Sequence, residues 1–102
     1  MIDLVRHKRE DLIQLCRRYF VKRLELFGSA SGSHFVDGKS DLDFLVVFEA
    51  TTPAQHAERY FGLLASLQDL FERPVDLVEL GAIRNPYFLE GIKETRRDVY
   101  AN

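Results

Sequence analysis

An almost continuous apolar run in the middle of the chain restricts its fold more than any other sequence feature. The run from Leu42 to Phe48 reads Leu-Asp-Phe-Leu-Val-Val-Phe and contains one charged residue, Asp43. A strand with one exposed face alternates apolar and polar residues, whereas an almost uninterrupted apolar strand is covered on both faces. The run therefore predicts the central strand of a sheet that has other elements packed against it.

The rest of the chain predicts helices and strands on either side of this run. Apolar residues at helical spacing indicate a first helix over residues 3–20, a long second helix after the cap Thr52-Pro53, and a last helix after Asn85-Pro86. Alternating or short apolar patterns at residues 22–27 and 75–80 indicate two further strands. The predicted order is αβ(loop)βαβα, and the inner face of the last helix is expected to carry Phe88, Leu89, Ile92 and Val99.

The composition is that of one small folded domain. The 102 residues are 46% hydrophobic and 29% charged, which excludes a disordered chain and predicts a single domain over residues 1–102. The one cysteine, Cys16, lies on the apolar stripe of the first helix, so we expect a buried free thiol in a reducing compartment. No apolar stretch is long enough to span a membrane and residues 1–9 lack the apolar core of a secretion signal, so we expect a cytoplasmic protein.

Three acids interrupt the apolar strands. Asp41 and Asp43 are two residues apart, which places both side chains on the same face of the sheet, and Asp76 interrupts the next strand in Pro-Val-Asp-Leu-Val-Glu-Leu. Three neighbouring carboxylates repel one another, and burying them is costly unless a cation compensates their charge. Mg²⁺ prefers one or two carboxylates together with waters and phosphates. The acids therefore predict a magnesium site for phosphoryl transfer; the alternative is a set of strand-end acids that face solvent.

A loop rich in glycine and serine precedes the central strand. Residues 28–40 contain three Gly and four Ser and almost no apolar residues. Gly28-Ser29 follows the preceding strand directly, and a backbone without a Cβ, next to a hydroxyl, suits close approach to a triphosphate. The alternative interpretation of this pair is a tight turn after a strand.

Taken together, these motifs resemble the signature of the DNA polymerase beta-like nucleotidyltransferase superfamily. The resemblance is carried by Phe27-Gly28-Ser29, by Ser40-Asp41-Leu42-Asp43-Phe44-Leu45-Val46 and by Val75-Asp76-Leu77-Val78. It covers nearly the whole chain and is greatest for the minimal single-domain branch, the MNT antitoxins of HEPN/MNT toxin–antitoxin modules. It implies an α+β fold of the polymerase beta-like palm type, with a small mixed β-sheet packed against helices.

The resemblance also implies an activity and a partner. The implied reaction is Mg²⁺-dependent transfer of a nucleoside monophosphate, AMP from ATP, to a hydroxyl on a HEPN-family protein encoded nearby, with Mn²⁺ as the alternative ion. The chain would act as the antitoxin in a hetero-oligomer with that protein. Carried over to this sequence, the catalytic and metal-binding acids are Asp41, Asp43 and Asp76, and the nucleotide-binding residues are Gly28, Ser29 and Ser40.

Two departures from the minimal members support a second hypothesis. Ala30 stands where those members have Arg, and residues 30–40 form a spacer of eleven residues where ten are usual. The alternative is therefore an antitoxin that neutralises its partner by binding alone. A polymerising enzyme is disfavoured because no second domain or basic groove holds a strand. Residues 1–23 carry seven Lys/Arg against three Asp/Glu, and this excess indicates a solvated helix face rather than a nucleic-acid contact.

Overall fold

Four strands form a single mixed sheet in the computed structural model of the chain, which describes residues 3–28 and 41–101. The strands are β1 (Val21–Phe27), β2 (Leu42–Phe48), β3 (Val75–Glu79) and β4 (Arg97–Ala101). Their order across the sheet is β3-β2-β1-β4. β1 is antiparallel to both β2 and β4, and β2 is parallel to β3. The apolar run of β2 therefore lies inside the sheet, as its sequence predicts.

The helices are α1 (Asp3–His7), α2 (Arg9–Arg18), α3 (Pro53–Phe71) and α4 (Pro86–Ile92), and a short 3₁₀ turn covers Leu80–Ala82. α3 begins where the sequence predicts, because the Thr52 hydroxyl accepts a hydrogen bond from the Gln55 N–H at 3.3 Å and Pro53 occupies the first helical position. It ends at Phe71, and the next residue, Glu72, has a left-handed φ of 53°. None of the helices in residues 3–28 and 41–101 has the length and apolar character that crossing a membrane requires.

The core lies between one face of the sheet and the pair α2 and α3. Alternate residues of β1 and β2 enter it, and they pack against the apolar faces of the two helices. The core includes Leu24, Leu26, Phe44, Val46, Leu12, Cys16, Leu63 and Leu67. Cys16 is fully buried, so it is the buried free thiol that the sequence predicts, and its burial raises the pKa of the thiol to about 12.

The α+β class and the mixed sheet are confirmed, but the predicted order αβ(loop)βαβα lacks the final strand β4, and two helix boundaries differ from the prediction. The first helix is divided at Lys8 into α1 and α2. The last helix ends at Ile92, and Val99, which we expected on that helix, lies in the edge strand β4. The physical reason is that β1 has one edge left to pair, and Arg97–Ala101 pairs with it while still burying Val99. Val99 alone is compatible with the spacing of apolar residues in either a helix or a strand.

Candidate active site

Two aspartates lie side by side on the sheet face that points away from α2 and α3. Since Leu42 and Phe44 of β2 enter the core, Asp43 between them points to the opposite face. The same alternation in β3 buries Val75 and Leu77 and leaves Asp76 exposed. Asp43 and Asp76 are direct partners in the parallel register of β2 and β3. We call this side of the sheet the carboxylate face; it carries Glu25, Phe27, Asp43, Leu45, Asp76 and Val78.

The environment of Asp43 disfavours its charged form. Burial is the largest cause, followed by hydrogen bonding to the Asp76 side chain and by repulsion from Asp76 and Asp41; together they raise the pKa of Asp43 from 3.8 to about 6. The carboxylate therefore carries charge at neutral pH at a cost in free energy. A cation bound beside it would remove that cost, so the pair has the electrostatic character of a cation site.

Gly28 brings bare backbone against this carboxylate. It directly follows Phe27, the β1 partner of Asp43, and it has a φ of +73°. A Cβ built on Gly28 would lie 2.6 Å from Asp43 Oδ2, closer than side chains approach one another. Both the left-handed backbone and the space taken by the carboxylate therefore require glycine here.

Residues from the C-terminal part of the chain support the end of β1 that carries Gly28. The Gly28 N–H donates a hydrogen bond to Thr95 Oγ1 at 3.3 Å. The Thr95 hydroxyl in turn donates to the Ile92 carbonyl at 2.9 Å. The ring of Phe88 on α4 packs edge-on against Phe27, with 5.9 Å between centroids. None of these contacts was predicted, because residues 93–99 were interpreted as helix and contain no motif that points to β1.

A further acid on the carboxylate face differs from the two aspartates because it forms a buried ion pair. Glu25 is 5% exposed and lies on the carboxylate face, two residues before Phe27. Its two carboxylate oxygens accept hydrogen bonds from Arg96, from Nε at 3.1 Å and from Nη2 at 2.8 Å. This two-point pairing compensates the charge of Glu25 within the protein. Glu25 is therefore a structural acid, in contrast to Asp43, whose pKa is raised by burial and by the neighbouring carboxylates of Asp76 and Asp41.

The predicted site residues divide into three groups. Asp43, Asp76 and Gly28 are brought together, and Asp41 lies exposed just before β2, near enough to raise the pKa of Asp43. Ser29 and Ser40 lie outside the described residues, as does the rest of the loop from 29 to 40. Among the residues that the structure describes, no three His, Cys, Asp or Glu side chains are grouped so as to hold a metal ion. The Asp43 and Asp76 carboxylates fit Mg²⁺ chemically, since that ion takes one or two protein carboxylates and completes its shell with water and phosphate.

A mixed sheet that presents paired aspartates beside a strand-end glycine defines a nucleotidyltransferase-type palm domain. The comparison with known families gives the same result, because the model described as "Nucleotidyltransferase domain" matches residues 9–99. The chain belongs to this family. The resemblance inferred from the three motifs is thereby confirmed, and the match extends into β4, whose structure was not predicted.

Individual relatives cover most of the chain. A Methanocaldococcus jannaschii protein, MJ0128, named for a proposed protein adenylyltransferase activity, is 40% identical over 80 residues, which is 78% of each chain. A solved structure described as a minimal nucleotidyltransferase has 29% identity and a TM-score of 0.66, covering 93% of this chain and 92% of the other. A chain in the structure of a tri-AMPylated HEPN toxin of Shewanella oneidensis in complex with an MNT antitoxin has 19% identity and a TM-score of 0.59. That match covers 96% of this chain and 73% of the other, and it concerns the fold.

Proposed function

We propose that this nucleotidyltransferase transfers AMP from ATP to a hydroxyl group of a HEPN-family partner, with release of pyrophosphate, and thereby acts as an antitoxin. The observation that carries the proposal is the placement of Asp43 and Asp76 as direct neighbours on the carboxylate face, with the backbone of Gly28 against Asp43. Two carboxylates beside bare backbone suit a metal-bound triphosphate.

In this proposal each residue of the site has a chemical task. Asp43 and Asp76 would hold Mg²⁺, or Mn²⁺ in its place, and Asp41 would add a third carboxylate from the start of β2. The ion, when bound, supplies charge compensation for the phosphates and for the developing charge of an in-line displacement. Gly28 leaves room for the triphosphate, and Ser29 and Ser40 are proposed to donate hydrogen bonds to it.

The assignment of a protein acceptor rests on the relatives. The Methanocaldococcus jannaschii protein is named for protein adenylyltransfer, and the Shewanella oneidensis complex pairs an MNT antitoxin with a HEPN toxin that carries AMP groups. The same complex supports a hetero-oligomer of this chain with its acceptor protein.

A label-transfer experiment tests the proposal. The chain is incubated with Mg²⁺, the purified HEPN-family protein encoded beside it, and ATP labelled on the α-phosphate or on the γ-phosphate. We expect the partner to take up the α-label and not the γ-label, because AMP transfer retains only the α-phosphate. Asp43→Asn and Asp41→Asn should each lower the rate by about a hundredfold or more, since each removes a carboxylate from the metal site.

Asp69→Asn is the matched control, because Asp69 is an exposed acid on α3, away from the carboxylate face. This variant should transfer label at the rate of the parent. If the parent transfers no label and still neutralises its partner, the second hypothesis, neutralisation by binding alone, replaces the proposed reaction. The substitution of Ala30 for the usual Arg is the sequence feature that favours that alternative.

A further inference from the structure

We infer that Thr95 is a positioning residue of the nucleotide site, acting through the backbone of Gly28. This inference rests on the proposed function, because it assigns Thr95 a part in holding the nucleotide rather than in the fold alone. Its starting point is the hydrogen bond that the Gly28 N–H donates to Thr95 Oγ1 at 3.3 Å, between residues 67 positions apart in the sequence.

The Thr95 hydroxyl is oriented by a second hydrogen bond. It donates its proton to the Ile92 carbonyl at 2.9 Å, at the end of α4. A hydroxyl has one proton and two acceptor lone pairs, so a hydroxyl that donates to Ile92 presents its lone pairs to the Gly28 N–H. The two bonds fix both the side chain of Thr95 and the direction in which it accepts.

The segment that carries Thr95 is itself fixed on β1. The next residue, Arg96, forms the two-point ion pair with Glu25, and Phe88 of α4 packs on Phe27. Besides the pairing of β4, three side-chain contacts thus join residues 88–96 to Glu25 and Phe27 of β1 and to Gly28, which follows the strand. Of these three contacts, the hydrogen bond of Thr95 is the one made to Gly28.

The consequence for the site follows from the crowding at Gly28. Its left-handed backbone places its Cα against the Asp43 carboxylate, with no room for a Cβ. A rotation of the Gly28 peptide would therefore change the space beside Asp43, the proposed metal-binding carboxylate. Removal of the Thr95 acceptor permits that rotation, so we expect weaker nucleotide binding.

The test compares three variants of the full chain in a binding titration with AMP-PNP and Mg²⁺. Thr95→Val keeps the branched shape of the side chain and removes the acceptor, and we expect its Kd to rise about fivefold, the usual effect of one lost hydrogen bond. Thr95→Ser keeps the hydroxyl and should bind like the parent. Ser66→Ala loses a hydrogen bond of comparable burial, the one between Ser66 Oγ and the Tyr19 hydroxyl at 3.1 Å, and should also bind like the parent.

Steady-state kinetics supplies a second readout. In Thr95→Val the KM for ATP should rise by the factor seen in the titration, with kcat changed by less than about twofold, because the lost contact serves binding of the substrate and the transition state alike. A loss of folding stability alone would not produce that split. Thr95→Ser should restore the KM of the parent.

The possible outcomes separate this inference from the proposed function. If the parent binds AMP-PNP and Thr95→Val binds it equally well, or if Ser66→Ala weakens binding as much as Thr95→Val does, the role of Thr95 is rejected and the proposed function stands. If Thr95→Val does not fold, Thr95→Ser decides, and weakened binding in that variant overturns the inference. A parent that binds no AMP-PNP rejects the proposed function together with the inference.

Discussion

Gly28 lies so close to Asp43 that one added carbon would stand 2.6 Å from the Oδ2 atom of the carboxylate. The two residues come from adjacent antiparallel strands, with Asp43 opposite Phe27 and Gly28 next along β1. The contact joins the two parts of the proposed site, the acid that would hold metal and the backbone that would receive phosphate. The size of the side chain at residue 28 therefore affects the geometry of both the acid and the backbone.

Gly28→Ala should destabilise the fold by about 1 to 3 kcal/mol. The substitution adds the cost of a left-handed φ for an L side chain to the cost of displacing Asp43 Oδ2. Urea denaturation measures the difference, and AMP-PNP binding should weaken in the same variant. Gly81→Ala is the control, because a Cβ at Gly81 meets nothing within 4 Å, and it should change the stability by less than about 0.5 kcal/mol.

Asp43 should make the metal-free protein less stable as the pH rises. Its pKa in the folded state is about 6 and its ordinary value is 3.8, so the folded state binds the proton more tightly than the unfolded state does. The unfavourable contribution is absent below pH 3.8, develops between pH 3.8 and 6, and is complete above pH 6. We expect it to reach about 1 to 2 kcal/mol, since solvent screening reduces the full linkage value.

Denaturation in EDTA across this pH range compares the parent with Asp43→Asn. The Asn variant should be the more stable protein at pH 7, and the difference should shrink toward zero at pH 4. Asp69→Asn, an exposed acid on α3, should follow the parent throughout. An Asn variant that is less stable than the parent at pH 7 without metal would contradict the electrostatic account of the site.

The arrangement of the acids could be predicted from the sequence because it depends on local geometry. Side chains alternate along a strand, so an Asp between two core residues must point away from the core, and this rule holds for Asp43 and for Asp76 alike. The pairing of the two acids needed one further step, the parallel register of β2 and β3. The motif resemblance indicated that step, because it assigned Asp41, Asp43 and Asp76 to one catalytic and metal-binding site.

The support of the site could not be predicted, because its contacts join distant parts of the chain. Thr95 meets Gly28 across 67 residues and Arg96 meets Glu25 across 71. Whether Glu25 is an exposed strand residue or a buried acid depends on whether β4 pairs with β1, and β4 shows one buried residue, Val99, in five. A short edge strand with a single buried residue has no periodic spacing of apolar residues that would distinguish it from the end of a helix.

Removal of one partner from the Glu25–Arg96 pair should destabilise the fold more than replacement of both. Glu25 is 5% exposed, so Arg96→Met leaves a buried charge without its two-point partner, and the Arg23 Nε atom, 4.0 Å from Glu25 Oε2, compensates it only in part. We expect a loss of about 2 to 4 kcal/mol. The double variant Glu25→Leu/Arg96→Met removes both charges and should recover at least half of that loss. Urea denaturation of the two single variants and the double variant gives the coupling energy.

The exposed pair Arg23–Asp98, with 3.3 Å between Nε and Oδ1, is the matched comparison for this cycle. Asp98→Asn should cost less than about 1 kcal/mol, because solvent screens a surface pair. A double variant as unstable as Arg96→Met would mean that packing of the Arg96 side chain, rather than its charge, accounts for the effect.

Metal should reverse the order of stability between the parent and Asp43→Asn. Without metal, burial of the charged Asp43 carboxylate and repulsion from Asp76 and Asp41 should make the parent the less stable protein. A ligand that binds only the folded state adds about 2.7 kcal/mol at a hundred times its Kd, or several degrees in Tm for a domain of this size. Thermal melts in EDTA, in Mn²⁺, and in Mn²⁺ with AMP-PNP measure this effect. The Tm of the parent should rise on addition of Mn²⁺ and again on addition of AMP-PNP, whereas the Tm of Asp43→Asn should remain nearly unchanged. If the two proteins had the same Tm under each of the three conditions, the aspartates would be ordinary surface charges and the proposed transfer reaction would lose its basis.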